Sequence, residues 1–458
     1  MSDEKHRECV VIIGGGFAGL NAAKGLRGVD VDVVLIDRQN HHLFQPLLYQ
    51  VATAGLSTAD IAAPLRSVLR RSDNSRVIMG EVQVIDREAR RVYFDGGALD
   101  YDYLLVAAGM ENNYFGQEDE WEELAPGLKT LDDALECRRR ILKAFEEAEW
   151  CEDERRLEAL LTFVVVGAGP TGVEMAGAIR DIAYQVMVHE FKNIDVSKAR
   201  VLLVDGDRRV LTAYDEKSSE AAEEQLEDMG VEVVLGELVE DISESGVTID
   251  GELIPSETVI WAAGVAPSPL AVELDSERDR MGRVVVNDYL ELPGDRRVKV
   301  LGDMAHYEHE GEAVPGLAPV AIQMGKFAAR DIERQLKDKE RKPYRYVDRG
   351  QMATIGRARA VAEVGGRSFA GVLAWFMWLF IHVLFLIGFR NRVFVIMEWF
   401  YAYLGMKRGS RIIVEPAKVK GVATEEQPLQ ETLIDEEQLD WTASDGVPED
   451  RERRSVGS

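Results

Sequence analysis

Three glycines, Gly14, Gly16 and Gly19, stand in the run CVVIIGGGFAGLNAAKGL, between a short apolar stretch and a segment of helical composition. In that spacing each glycine meets a separate demand of a phosphate site. The first lets the chain turn tightly, the second lets the backbone approach a pyrophosphate, and the third, with Ala23, lets helix and strand pack closely. The start of the helix then offers its free amides to the phosphate charge. The next apolar run, VDVVLIDRQ, ends in Asp37, where a carboxylate accepts hydrogen bonds from ribose hydroxyls. One such motif is a weak signal, because any tight strand-to-helix turn imitates it.

The motif returns later in the chain. LLTFVVVGAGPTGVEMAGAI puts Gly167, Gly169, Gly172 and Ala176 in the equivalent places, and RVLLVDG ends in Asp205. A second echo supports the first: YDYLLVAAG closes on Gly109 and SETVIWAAG closes on Gly264, at nearly the same offset along the chain. An internal repeat of this size is a whole domain, so the reading is an α/β fold with two tandem Rossmann-like dinucleotide-binding domains. Asp205 favours NADH over NADPH, since a carboxylate repels a 2′-phosphate. Arg208 and Arg209 either weaken that preference or belong to a solvated turn.

The elements that must carry these sites fit a chain of 458 residues, long enough for two or three domains with cores of their own. A net charge of -27 argues against nucleic acid, which needs a basic face to displace counterions. Part of the acidity is local, in a tail with runs such as Asp435, Glu436 and Glu437, expected to be disordered. The charged start runs directly into Val10, so no secretory signal is expected. Cys9, Cys137 and Cys151 form no CxxC pair, which suits a reducing, intracellular setting.

With both motifs placed, the chain resembles the two-dinucleotide-binding flavoproteins, which implies FAD in the first unit and NADH in the second. The run VKVLGDMAH is similar to that group's late Gly-Asp motif, and the resemblance implies that Gly302 and Asp303 reach the ribityl and phosphate part of FAD. Disulfide reductases of the group need a cysteine pair facing the flavin, and sulfide:quinone reductases use cysteines beyond the second motif. This chain has neither. In their place stands NHHLFQPLLYQVATAGLSTADIAAPLR, which with QMATIGRARAVAEV and LIGFRNR resembles the type II NADH:quinone dehydrogenases from Val10 to about Arg411.

That resemblance implies FAD-dependent oxidation of NADH with two-electron reduction of a membrane quinone, without proton pumping and without a metal. GLAPVAIQMGKFAAR is similar to the family's quinone motif: Gln323 takes the place of its second glutamine, and Pro319 replaces the first. Glu174, on the first turn after Gly172, resembles the family glutamate near flavin and quinone and could relay protons. An acid there also complements the helix dipole with no catalysis at all. His41, His42, Gln45, Gln50 and Thr53 are neighbours of the flavin or quinone without an individual role.

From Ala370 to Phe389 runs AGVLAWFMWLFIHVLFLIGF, and about 20 apolar residues pass the length test for a membrane span. Hydropathy therefore leaves a span open. Against it, Arg390, Arg392 and Glu398 interrupt the next stretch, which ends in Lys407, Arg408 and Arg411. Basic residues beside Trp375, Trp378, Trp399, Tyr401 and Tyr403 suit helices lying at headgroup level, the monotopic anchor that the resemblance also implies. A buried dimer interface is the other use for such a surface.

The expected organisation is an FAD-binding domain from 1–115 and 287–335, and an NADH-binding domain from 116–286 with a helical lead-in. A C-terminal membrane-associated helical region for anchoring and dimerisation follows over 336–412, then the acidic tail 413–458. The expected setting is the cytoplasmic side of the cell membrane, peripherally attached, as a homodimer. Two other readings use the same motifs: a soluble NADH-dependent flavoprotein reductase serving another acceptor, and a redox-sensing scaffold that binds NADH and FAD with weak turnover.

Overall fold

The computed structural model describes residues 7–387, 389–405 and 411–413. The apolar run after Arg7 forms the strand Glu8–Ile13, which pairs in parallel with Val31–Asp37 on one side and Tyr103–Val106 on the other. Ser75–Met79 and Asp295–Val300 extend this sheet outward, also in parallel. Parallel strands are covered on both faces, so they read as unbroken apolar runs. Val10, Val11, Ile12 and Val33–Ile36 are accordingly fully buried. The chain thus returns to its first sheet after building a second unit, and helix Ala318–Leu336 then packs along helix Phe17–Gly25.

The second unit repeats the plan with four parallel strands in the order Glu232–Leu235, Arg200–Asp205, Thr162–Val166 and Thr258–Trp261. Each unit also carries a three-stranded antiparallel meander. In the first it is Val82–Asp86, Arg91–Phe94 and Gly97–Asp100; in the second, Val239–Ser243, Gly246–Ile249 and Glu252–Pro255. The duplication therefore covers elements beyond the glycine motifs. Just past the two Ala-Ala-Gly ends, Met110–Asn112 pairs antiparallel with Val265–Pro267, forming a ribbon between the units. Helix Leu131–Ala148 leads into the second unit and packs on the short helix Leu48–Ala52. It starts on a reciprocal capping pair, in which Asp133 N donates to Thr130 Oγ1 at 3.1 Å and Thr130 N donates to Asp133 Oδ2 at 3.0 Å.

The last described region begins with a three-stranded sheet, Gln351–Gly356, Arg359–Val364 and Arg367–Ala370, lying against helix Pro170–Gln185. The long apolar run of the sequence does not form one span. Ala370 ends a strand, Gly371 turns the chain at φ +70°, and helix Val372–Phe385 follows with only 14 residues. At ~1.5 Å rise per residue it covers about 21 Å, short of the ~30 Å of a hydrocarbon core. Leu386 is extended, and a second helix occupies Phe389–Gly405. Among the described residues no helix is long and apolar enough to cross a membrane. Lys407, Arg408, the side chains of Arg390, Tyr401 and Tyr403, and the acidic tail beyond residue 413 lie outside the described residues.

Candidate active site

Gly14 adopts φ +98°, and a Cβ there would lie 2.3 Å from the Ala107 carbonyl oxygen. At Gly19 a Cβ would lie 1.9 Å from the Gly14 carbonyl oxygen, so helix and turn meet at a distance only glycine allows. Gly16 differs, because a Cβ there meets nothing within 4 Å. No packing constraint requires glycine at that position; the open side of its backbone faces a cavity that it lines. In the second unit Gly167 and Gly172 repeat the two close approaches, and a Cβ at Gly169 again meets nothing within 4 Å.

The acids that end the second strand of each unit are held alike. The Asp37 carboxylate accepts from the Gly15 amide at 2.5 Å and the Gln39 amide at 2.6 Å. Asp205 accepts from the amides of Ala168 and Asp207. Burial pushes the Asp37 carboxyl above the usual carboxylate range, with the Gly15 and Gln39 amides opposing it. Arg209, adjacent to the second site, donates to the carbonyls of Thr212 and Tyr214, leaving Arg208 as the exposed cation of that turn.

A cavity of about 870 Å³ runs from the first glycine turn to the C-terminal helix Val372–Phe385. Gly14, Gly16, Asp37, Gly109, Gly302 and Asp303 line one part of it. Gly302 opens a short 3-10 turn at φ +71° and donates its amide to Met324 Sδ at 3.3 Å. Burial raises the Asp303 carboxyl, while Lys129, also on the wall, draws it down. Lys129 is lowered by the same burial and raised by Asp303. The Lys129 cation was missed by sequence reasoning, and nothing in PGLKT distinguishes it from a surface lysine. An FAD-sized group fits this chamber: the volume lies in the ~300–1,000 Å³ range of ligand pockets, and the open backbone, the acid and the apolar walls match its parts. Gly264 is placed elsewhere, packed against Asn113 and Phe115 of the connecting ribbon.

Pro170, Thr171 and Glu174, from the first turns of the second Rossmann helix, line this same cavity, as do Ile381, His382 and Phe385 from the C-terminal helix. Glu174 accepts a hydrogen bond from the Thr354 amide at 3.3 Å. Burial pushes its carboxyl up to about 8, and the Thr354 amide and the nearby Trp378 indole offset this only in part. The Trp378 N–H faces it without reaching hydrogen-bond geometry. His382, also not singled out from sequence, stacks on Trp378 at 4.3 Å and places Nδ1 2.7 Å from the Trp378 carbonyl oxygen. A carbonyl only accepts, so Nδ1 carries the proton. Burial lowers His382 to about 4, and it is neutral at physiological pH.

Gln323 stands apart from these groups. Its Nε2 donates to the Val347 carbonyl at 3.0 Å and its Oε1 accepts from the Val347 amide at 3.1 Å. The Val347 backbone therefore orients both ends of the amide, and it is Pro319, one turn earlier, that lines the cavity. His42 is buried with Nδ1 on the Gly15 carbonyl at 2.9 Å, whereas His41 lines the cavity. Gln45 donates to the Lys129 carbonyl, Thr53 to that of Tyr49, and Gln50 bridges the Tyr49 hydroxyl and the Trp399 indole. No cysteine lines the cavity; Cys137 is buried with its thiol pushed up by burial.

Residues 8–325 match the family described as pyridine nucleotide-disulphide oxidoreductase, and residues 349–407 match the NDH2 C-terminal domain. The chain is 45% identical over 427 residues to the type II NADH:quinone oxidoreductase Ndh of Mycobacterium tuberculosis, covering 90% of this chain and 91% of that protein. The chain belongs to the type II NADH:quinone oxidoreductase family. The Staphylococcus aureus type II NADH:quinone oxidoreductase is 30% identical over 381 residues, covering 81% of this chain and 93% of its own. Among solved structures, NDH2 from Plasmodium falciparum in complex with NADH superposes with a TM-score of 0.80 at 18% identity, over 90% of this chain and 100% of that one. A sulfide:quinone oxidoreductase from Aquifex aeolicus shares the fold at a TM-score of 0.68 and 18% identity, over 84% and 92% of the two chains. The fold alone thus does not choose between NADH and sulfide as donor. Membership of the type II family does.

Proposed function

We propose that the protein oxidises NADH and reduces a membrane quinone through FAD held in the first cleft, without moving protons across the membrane. The observation that carries this reading is the shared cavity. Residues of the second dinucleotide helix, Pro170, Thr171 and Glu174, form a wall of the chamber built on the first dinucleotide turn, and the apolar helix Val372–Phe385 forms another. A nicotinamide carried by the second unit and a quinone arriving along the apolar helix then reach one chamber. FAD, when bound there, supplies the chemistry of accepting two electrons as hydride and returning them to a quinone.

The chain's own residues bind, orient and handle protons. Gly14, Gly16 and Gly19 give the FAD pyrophosphate its approach, Asp37 takes the ribose hydroxyls, and Gly302 and Asp303 take the ribityl end. In the second unit Gly167, Gly169 and Gly172 receive the NADH pyrophosphate and Asp205 its adenosine ribose. Glu174 holds a proton beside the chamber at neutral pH. Gln323 holds the backbone at Val347 and is left with the role of shaping the wall around Pro319. The return of the chain to the first sheet through Asp295–Val300 supports an FAD-binding part interrupted by the NADH-binding part, although Leu270, Ala271 and Leu274, ahead of residue 287, already pack in the first unit's core.

The C-terminal helices expose Leu373, Phe376, Phe380, Phe394 and Met397 away from the cavity. A contiguous apolar face of this kind suits a monotopic seat on the cytoplasmic side of the membrane, with a second copy of the chain sharing part of it. The deciding experiment mixes flavin-loaded protein, NADH and menadione and follows NADH absorbance. Rapid menadione-dependent oxidation is expected. Fast loss of flavin colour without menadione turnover would point to a soluble acceptor, and slow loss to a sensing scaffold.

A further inference from the structure

Three stretches of the first unit carry basic side chains and no acid, in a chain whose net charge is -27. Residues 17–29 hold Lys24 and Arg27, residues 61–72 hold Arg66, Arg70 and Arg71, and residues 316–330 hold Lys326 and Arg330. All of these cations are exposed. The fold sets the three stretches together. Helix Phe17–Gly25 packs along helix Ala318–Leu336 through small residues: a Cβ on Gly25 would lie 2.6 Å from that of Ala329, and one on Gly325 would lie 2.1 Å from the Ala18 carbonyl oxygen. Helix Phe17–Gly25 also touches helix Leu65–Leu69. Partial desolvation and then the Lys326 charge lower the Lys24 ammonium, so these two cations stand near each other. Arg66 and Arg70, like Lys326 and Arg330, are four residues apart and share a side of their segment.

Acids just outside the stretches are engaged elsewhere. Asp30 and Asp32 pair with Arg7, Asp60 caps Ser57, and Asp331 is buried with Lys299 and Arg341. Asp73 follows Arg71 by two residues and leaves the excess strongly positive. Among the described residues no carboxylate forms an ion pair with any cation of the three stretches. The basic stretches adjoin the apolar C-terminal helices at two places. Ile387 packs on the core of the first unit, and Asn391, near the start of helix Phe389–Gly405, donates to the carbonyls of Ala59 and Ala62 at 3.3 and 3.4 Å. Ala62 opens the short strand that leads into helix Leu65–Leu69, four residues before Arg66. Helix Ala318–Leu336 begins at the chamber, which Pro319 and Ile322 line together with Ile381 and Phe385, and carries Lys326 one turn beyond Ile322.

Apolar helices beside a basic face form the two parts of an interfacial contact. Apolar side chains enter the acyl boundary, and cations meet phosphate at headgroup level. Cations spread over three neighbouring segments match a plane of phosphates better than a single enclosed anion. We propose that this basic face of the first unit is a second footing of the protein on the membrane, binding the headgroups of anionic phospholipids beside the apolar helices. This rests on the reading of those helices as a monotopic seat. A single apolar patch leaves the molecule free to tilt on the surface. A second footing on the FAD-binding part fixes the tilt and holds the edge of the chamber between helix Ala318–Leu336 and helix Val372–Phe385 toward the bilayer, where the quinone is dissolved. The acidic segment around Asp435, Glu436 and Glu437 has the charge to cover the same face, but continuity with the apolar helices favours lipid.

The test measures flotation of full-length, flavin-loaded protein with vesicles of phosphatidylcholine, alone or mixed with phosphatidylglycerol. Each cation near an anionic surface contributes roughly fivefold in affinity, so the triple variant Arg66→Gln, Arg70→Gln, Arg71→Gln should bind the mixed vesicles about a hundredfold more weakly. The pair Lys326→Gln, Arg330→Gln should lose about 25-fold. Binding to phosphatidylcholine alone should not change. Salt at about 1 M, which screens charges beyond ~3 Å, should erase the difference from wild type. Lysine at 66, 70 and 71 keeps the charge and should bind as wild type does. None of the substituted residues lines the chamber, so flavin content and menadione turnover in solution should stay constant. Equal affinity of the triple variant and wild type for mixed vesicles overturns the proposal, and is the result expected if the acidic segment beyond residue 413 covers the face. An equal loss on both kinds of vesicle also overturns it, because charge recognition is then not the cause. If the wild-type protein floats with neither vesicle, the monotopic reading itself fails.

Discussion

Burial takes Glu174, on the wall of the cavity, far from its ordinary chemistry. An ordinary glutamate ionises at 4.5, whereas burial moves this one to about 8. The carboxyl is thus mostly protonated at neutral pH and loses its proton as pH rises through 8. We expect the menadione-dependent rate to fall across that range and Glu174→Gln to flatten the fall, as read from a pH–rate profile. The stability consequence has a definite sign. The unfolded chain gives up this proton near 4.5 and the folded chain holds it to about 8, so its contribution is fully present below 4.5 and lost as pH rises through 8. Glu174→Gln should raise the melting temperature at pH 9 and leave it unchanged near pH 4. The two buried histidines, His42 and His382, have the opposite profile. Both are lowered to about 4 by burial, so the stability they lend is present above 6.5 and fades as pH falls through 4.

At the level of the element, the glycine turns separate folding from binding. A side chain at position 19 collides with the Gly14 carbonyl, whereas one at position 16 enters open space. Gly19→Val should therefore prevent folding of the first unit, seen as lost soluble expression. Gly16→Val should fold, with an unchanged circular dichroism spectrum, and purify without yellow flavin. An identical outcome for both variants would contradict the division of roles. The short C-terminal helices invite a parallel test. Phe376 and Phe380 are 57% and 65% exposed, and replacing both by Asp should release the protein from anionic phospholipid vesicles in a flotation assay. Flavin content should stay constant, since neither residue lines the cavity.

At the scale of the whole molecule, the first unit's late elements are tied to its sheet by a charge cluster remote from both glycine turns. Lys299 is completely buried, and its ammonium lies 3.0 Å from Glu291 and 2.8 Å from Asp331, themselves 2% and 1% exposed. Arg341 bonds to both acids. Burial pushes the Asp331 carboxyl up, but Arg341 and Lys299 more than offset this and hold it below the usual carboxylate range. The cluster ties helix Ala318–Leu336 and the segment after it to the last strand of the first sheet. Removing one partner leaves a buried charge uncompensated, at a cost of about 3–5 kcal/mol. Lys299→Met should lower stability in urea titration by that amount while leaving the NADH step of the folded protein unchanged.

Much of this architecture was legible in the amino-acid sequence. The two nucleotide units could be read because their demands are local: a turn, a close approach and an acid at a strand end each fall within a few tens of contiguous residues. Absence of paired cysteines was equally a sequence fact, and it already weighed against disulfide chemistry. What tertiary structure decided involves residues distant along the chain. Gln323 reads from the sequence as a quinone contact, and only the fold shows that the Val347 backbone orients its amide. Lys299, between two valines, looks like an outward strand position until Glu291 and Asp331 arrive around it. The apolar run at 370–389 had the length of a span, but the strand ending at Ala370 and the turn at Gly371 take its start and extended Leu386 ends the helix, which leaves 14 residues. Hydrogen bonding and charge pairing depend on which partner folding brings near, and no local spacing encodes that. The meeting of Glu174 with the first unit's cavity is the same kind of fact, and it brings the start of the second unit's helix to that chamber.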